Sequence, residues 1–151
     1  MAYFKYFTPP VGGYRGGPVD QFGDETPAWH NLRNVNLQVQ KLGPILLQLT
    51  SDEVYHIGEV PPSSRAASTN SLVASVGGDN WLVGDFTHAD GSRYVMIVNK
   101  NLSKARPVSP QFRKPAKRLV HICAYNGEIL PFEGEYVWIA PGQGVLLKPE
   151  W

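Results

Sequence analysis

The chain has 151 residues, of which 42% are hydrophobic and 18% charged, with a formal net charge of +1. This length suits a domain that buries a core without disulfides or metal, and the 15 Gly and 13 Pro argue against a helical bundle. The near-neutral charge and short apolar runs favour neither a nucleic-acid binder nor a membrane-spanning protein. The opening MAYFKYFTPP lacks the pattern of a signal peptide, and a single cysteine excludes an internal disulfide.

The first 26 residues combine an aromatic run with a Gly/Pro-rich loop, which predicts one short strand and a long connection. A helix is predicted over Pro27–Leu42, since Thr26 is a capping residue, Pro27 fits the first helical position and Gly43-Pro44 is a stop signal. Its apolar residues recur at helical spacing. They are Trp29, Leu32, Val35, Val39 and Leu42.

From Ile45 onward the apolar pattern alternates with a period of two, which is typical of strands. Strands are predicted near 45–49, 53–58, 71–76, 80–88, 92–99, 105–109, 118–125, 128–132, 135–140 and 144–149. Hairpin turns are predicted at Ala89-Asp90-Gly91, Asn126-Gly127 and Pro141-Gly142-Gln143-Gly144. The fold class is therefore mainly β, an antiparallel β-sandwich preceded by one strand–loop–helix element, divided as 1–43 and 44–151.

Signatures of catalysis are scarce. The glycine-rich segments lack the residues of phosphate or dinucleotide loops, and the histidines lack metal-ligand spacing, so no cofactor and no metal are expected. Two carboxylate pairs, Asp52-Glu53 and Glu133/Glu135, could serve glycoside hydrolysis, but solvated surface residues give the same pattern. His121 and Cys123 share a strand face, which suits a small core cysteine better than a reactive thiolate.

Two further features have competing interpretations. Half of the basic residues lie between Lys100 and Arg118, which could attract a polyanion or could protect a loop and sheet edge. Aromatic side chains such as Trp81 and Trp138 could be exposed and stack on sugars, or they could fill the sandwich core.

Three stretches carry a resemblance to a known family. They are TPAWHNLRNVNLQVQKLGPILLQLTSDEVYHIG at 26–58, NWLVGDFTHADGSRYVMIVNKNLS at 80–103 and WIAPGQGVLLK at 138–148. Together they resemble the C-terminal end of TIM-barrel glycoside hydrolases of the β-galactosidase-like type, where a last barrel strand and helix lead into a β-sandwich tail. The two catalytic glutamates of that family lie on earlier barrel strands, and no such sequence is present here.

The resemblance implies a non-catalytic accessory β-sandwich of a carbohydrate-active enzyme that serves packing or assembly. Its partner would be the rest of a hydrolase barrel or a second copy of the chain, and residues 6–15 would follow the last barrel strand. The alternative is a carbohydrate-binding module that uses exposed aromatics on a polysaccharide. Candidate carbohydrate-binding residues are Tyr6, Tyr14, Arg15, Trp81 and Trp138; none is assigned a catalytic role.

Overall fold

Ten strands follow one helix in a computed structural model that describes residues 6–9, 12, 16–134 and 137–151. The helix is α1 (Pro27–Leu46). The strands are β1 (Leu49–Ile57), β2 (Val73–Val76), β3 (Trp81–His88), β4 (Arg93–Asn99), β5 (Arg106–Pro107), β6 (Pro110–Phe112), β7 (Arg118–Ile122), β8 (Ile129–Pro131), β9 (Trp138–Ile139) and β10 (Gly144–Glu150). The predicted fold class, mainly β and antiparallel after one helix, is confirmed. The chain divides into two compact units, Met1–Lys41 and Leu42–Trp151.

The second unit is built on a six-stranded antiparallel sheet with the order β1-β3-β4-β10-β7-β8. Two small sheets, β2-β6 and β5-β9, contribute to the core on one of its faces. Alternation along each strand sends every second side chain to that face, where the apolar residues exclude water. The buried set includes Tyr55, Val73, Trp81, Val83, Val95, Ile97, Val108, Ile139 and Leu147.

The opposite face of the large sheet explains why the helix is longer than predicted. Leu42, Ile45 and Leu46 pack there against a smaller cluster formed by Tyr94, Ile122 and Leu146. The prediction that Gly43-Pro44 ends the helix and that a strand begins at Ile45 is wrong. Proline removes one backbone donor, and the packing of the partly buried Ile45 and Leu46 that follow it offsets this loss.

Prolines also change the predicted strands in the middle of the chain. The strand predicted over 105–109 shortens to β5, and β6 is an additional strand that the pattern did not reveal. Proline cannot donate to a ladder, so Pro107 and Pro110 limit pairing to brief edge contacts. The strand predicted over 135–140 is reduced to β9, with residues 135 and 136 outside the described part.

The predicted turns are present, but one of them has a different role. Ala89-Asp90-Gly91 joins β3 to β4 and Asn126-Gly127 joins β7 to β8, both pairs being antiparallel. At 140–143 the Gln143 N–H donates to the Ala140 carbonyl (3.1 Å) and Gly142 has φ 73°, as in a type II turn. The strands beside it belong to different sheets, so this turn is not a hairpin.

Hydrogen bonds in the first unit tie its loop to the start of the helix. The Val19 N–H donates to the Tyr6 carbonyl (3.0 Å), and the Thr8 N–H donates to the Val19 carbonyl (2.8 Å). The Thr26 hydroxyl donates to the Gly17 carbonyl (2.7 Å) and so fastens the loop, whereas its predicted role was to cap the helix. Most of the predicted N-terminal strand lies outside the described residues; Phe7 forms an isolated bridge with Val19.

The two helix prolines allow a test of the extended helix. Pro44→Ala restores a backbone donor inside α1, so we expect the free energy of unfolding to increase by about 1 kcal/mol in urea titrations. Pro27→Ala is the control, since at the first helical position the missing donor costs nothing and the substitution should not stabilise the protein. Equal effects at both positions would contradict the observed course of the helix.

Candidate functional site

The structure describes three of the five candidate carbohydrate-binding residues and places them in different environments. Tyr6 is 52% exposed and Trp138, in β9, is 63% exposed. Trp81 is fully buried, and its indole N–H donates to the Gly77 carbonyl (3.0 Å), so it offers no face to a sugar. Tyr14 and Arg15 lie outside the described residues.

Tyr6 borders a pocket of about 230 Å³ on the first unit. The residues that line this Tyr6–Trp29 pocket are Tyr6, Trp29, Leu32, Arg33, Asn36 and Leu37. The Trp29 indole N–H donates to the Tyr6 hydroxyl (2.8 Å), which fixes the two rings relative to each other. Because one polar atom of each ring is engaged, the pocket presents mainly apolar ring surface.

The charge at the pocket comes from Arg33. Its guanidinium carbon lies 6.0 Å from the centroid of the Trp29 ring, within range of a cation–π interaction. No acidic residue lines the pocket, and Arg33 forms no ion pair among the described residues. Sequence reasoning missed Trp29 and Arg33 as site residues; their i, i+4 spacing on a helix was the available signal.

A second, polar cleft of about 270 Å³ lies at the start of β1. Its lining residues are Asp52, Glu53, Arg65, Asn70, Asp85 and Arg93. A register shift between Ser51 and Glu53 turns Asp52 out of the ladder, and its carboxylate accepts from the Thr87 hydroxyl (2.8 Å) and Arg93 (3.2 Å).

The two carboxylates deepest in this cleft hold the loop that precedes β2. Asp85 is buried and accepts hydrogen bonds from the Tyr55 hydroxyl (3.1 Å) and the Leu72 N–H (2.7 Å). Glu53 accepts from the hydroxyls of Ser71 (2.8 Å) and Ser68 (3.3 Å). Both carboxylates therefore accept hydrogen bonds from the chain itself, and these bonds hold the loop in place.

The structure describes only part of the other carboxylate pair, and it places His121 beside an aromatic ring. Glu133 is exposed and Glu135 lies outside the described residues. His121 meets the Phe132 ring edge-on at 6.2 Å, and Cys123 is a half-buried free thiol. Among the described residues there is no group of three or more His, Cys, Asp or Glu side chains that could hold a metal ion.

Most side chains of the basic stretch have partners within the second unit. The Lys100 ammonium contacts His56 Nδ1 (2.8 Å) and donates to the Glu59 carbonyl (2.9 Å). The other partnered members pair with acids, carbonyls or a ring. They are Arg106 with Asp79, Arg113 with the Ser71 carbonyl, Lys117 with the Trp151 carbonyl, Lys114 with the Trp151 ring and Arg118 with Glu150.

The helix presents an apolar surface of a different kind. None of the 20 residues of α1 is buried, although the predicted apolar stripe is present. Val35 is 50% exposed and Val39 is 40% exposed. Among the described residues, no helix is long and apolar enough to cross a membrane. These exposed valines add apolar surface to a chain with few charged residues.

Comparisons of the chain with protein-family models, with curated proteins and with solved structures found no match.

The Tyr55–Asp85 contact allows a stability test. Tyr55→Phe removes the hydroxyl that donates to Asp85 and accepts from the buried Val73 N–H (3.2 Å). Because a buried donor is then left without an acceptor, we expect a loss of about 1–2 kcal/mol in the free energy of unfolding. Tyr125→Phe at an exposed ring is the control and should leave stability unchanged; equal losses would contradict a structural role for Tyr55.

Burial of Asp85 predicts a pH dependence. Burial raises the pKa of this carboxyl above its usual 3.8, despite the opposing hydrogen bonds from Leu72 and Tyr55. The folded protein binds this proton more tightly than the unfolded chain, so the stability it contributes is complete at acid pH and is lost as pH rises through the folded pKa. We expect the stability deficit of Asp85→Asn to shrink as pH rises above the usual pKa of 3.8 in urea titrations.

Asp90→Asn is the control of opposite sign. Hydrogen bonds from Ser92 lower the pKa of the exposed Asp90 carboxyl, so its stabilising effect is present above the unfolded pKa and is lost as pH falls. The deficit of this variant should therefore grow with rising pH. Parallel slopes for the two variants would show that burial of Asp85 does not govern its titration.

Proposed function

We propose that this chain is a non-catalytic accessory β-sandwich of a carbohydrate-active enzyme, and that α1 docks it onto a partner. The observation that carries the proposal is a helix of 20 residues with none buried and with an apolar stripe. Burial of an apolar side chain stabilises a protein by about 1.5–3 kcal/mol. The apolar stripe of an amphipathic helix is therefore normally packed against another surface. The partner is the remainder of a glycoside hydrolase barrel or a second copy of the chain.

The link to carbohydrate-active enzymes is supported by the motifs at 26–58, 80–103 and 138–148 and by the order of helix and sandwich. The non-catalytic role is supported by the engagement of Glu53 and Asp85 within the fold. A general acid needs a proton that it can deliver to a substrate oxygen, whereas these carboxylates accept from Ser68, Ser71, Tyr55 and Leu72.

The docking role is tested with the chain alone in sedimentation velocity over a range of concentrations. An exposed apolar stripe should make the chain self-associate. Val39→Lys should weaken this association about tenfold, because it places a charge where association would bury a valine. Val60→Lys is the matched control, since Val60 is 38% exposed against 40% for Val39 but lies in the loop after β1.

Three results would contradict the proposal. The first is a wild-type chain that stays monomeric at the highest concentrations, and the second is equal weakening by the Val39 and Val60 substitutions. The third is hydrolysis of aryl glycosides by the purified chain that Glu53→Gln abolishes, which would give the polar cleft a catalytic role.

A further inference from the structure

We propose that the Tyr6–Trp29 pocket binds an acidic pyranose, that is, a sugar ring that carries a carboxylate. This inference goes beyond the packing role, which is tested at Val39, a residue that does not line the pocket. It is carried by two fixed aromatic rings beside an arginine without an acidic partner.

The apolar part of the ligand is set by the rings. A pyranose has a face of C–H groups and a rim of hydroxyls, and aromatic side chains pack against surfaces that are apolar on one side and polar at the edge. The bond from the Trp29 N–H to the Tyr6 hydroxyl holds the two rings together before any ligand arrives. The Tyr6 hydroxyl accepts in this bond, so its own proton is available to a sugar oxygen.

The charge of the ligand is set by Arg33. Guanidinium groups bind carboxylates through two parallel hydrogen bonds, and such charged bonds are roughly twice as strong as neutral ones. No acid among the described residues lines the pocket, so none of them repels an anion or forms an ion pair with Arg33. A neutral sugar would leave this guanidinium without a charged partner, so the carboxylate form is favoured.

The size of the ligand is set by the pocket volume. About 230 Å³ is below the range of roughly 300–1,000 Å³ that is typical of pockets for drug-sized ligands. One sugar ring therefore occupies the pocket, and its neighbours in an oligosaccharide extend into solvent. The remaining wall, Leu32 and Leu37, contributes apolar contact.

Calorimetric titration of the full chain with two matched pairs of trisaccharides tests this proposal. The pairs are α-1,4-trigalacturonate with α-1,4-galactotriose, and the β-1,4-linked glucuronate and glucose trimers; within each pair the sugars differ only at C6. We expect at least one acidic trimer to bind about tenfold or more tightly than its neutral counterpart. The preference should weaken when the ionic strength rises from about 0.05 to 0.5 M.

Variants then assign the preference to a residue. Arg33→Ala should reduce the affinity for the acidic trimer to that of the neutral one, with an unchanged thermal midpoint because Arg33 is exposed. Tyr6→Phe should weaken both forms, since it removes a donor to sugar hydroxyls. Arg65→Ala is the control, an exposed arginine of the second unit that forms no ion pair among the described residues.

The proposal is overturned if neither acidic trimer binds, if the acidic and neutral trimers bind equally, or if Arg33→Ala leaves the preference intact. These results are distinguishable from failure of the docking role, which is measured by sedimentation without sugar. A chain that self-associates through Val39 and binds no trimer would keep the accessory role and remove the sugar pocket.

Discussion

The sandwich depends on one buried side chain, Asp85, which accepts hydrogen bonds from Tyr55 and Leu72. Asp85 and Tyr55 belong to neighbouring strands of the large sheet, whereas Leu72 leads directly into β2 of a small sheet. A buried carboxylate is costly unless its oxygens have donors, so the loop before β2 must stay where its N–H can supply one. The polar contact thereby fixes the position of a layer that apolar packing alone would leave free to slide.

Asn99 repeats this solution at the other small sheet. It is fully buried at the end of β4, and its amide donates to the carbonyls of Ile139 in β9 (3.2 Å) and Lys104 (2.8 Å). Polar side chains of the large sheet thus form hydrogen bonds with both small sheets or with the loops beside them. The Asp85 and Asn99 side chains are both buried, so unsatisfied polar atoms there would be costly.

The low proportion of charged residues can be related to the surface of each unit separately. In the second unit, most of the basic side chains at 100–118 are engaged by acids, carbonyls or rings of the same unit. In the first unit, Val35 and Val39 of α1 are exposed. The proposed docking role and the proposed sugar pocket both rest on this part of the chain. The docking proposal is argued from Val35 and Val39 and the pocket proposal from Tyr6, Trp29 and Arg33, although Trp29 also belongs to the apolar stripe.

The sequence by itself determined the strand-rich architecture, the start of the helix at Pro27 and the turns at 89–91 and 126–127, because these depend on periodicity and local backbone preference. Tertiary structure decided the end of the helix, since packing of Ile45 and Leu46 offsets the cost of Pro44. It also decided the burial of Trp81, the short strands around Pro107 and Pro110, and the pocket that joins Tyr6 to Trp29 across 23 positions of the chain. Such outcomes depend on which distant side chains meet, and neither propensity nor spacing encodes that meeting locally.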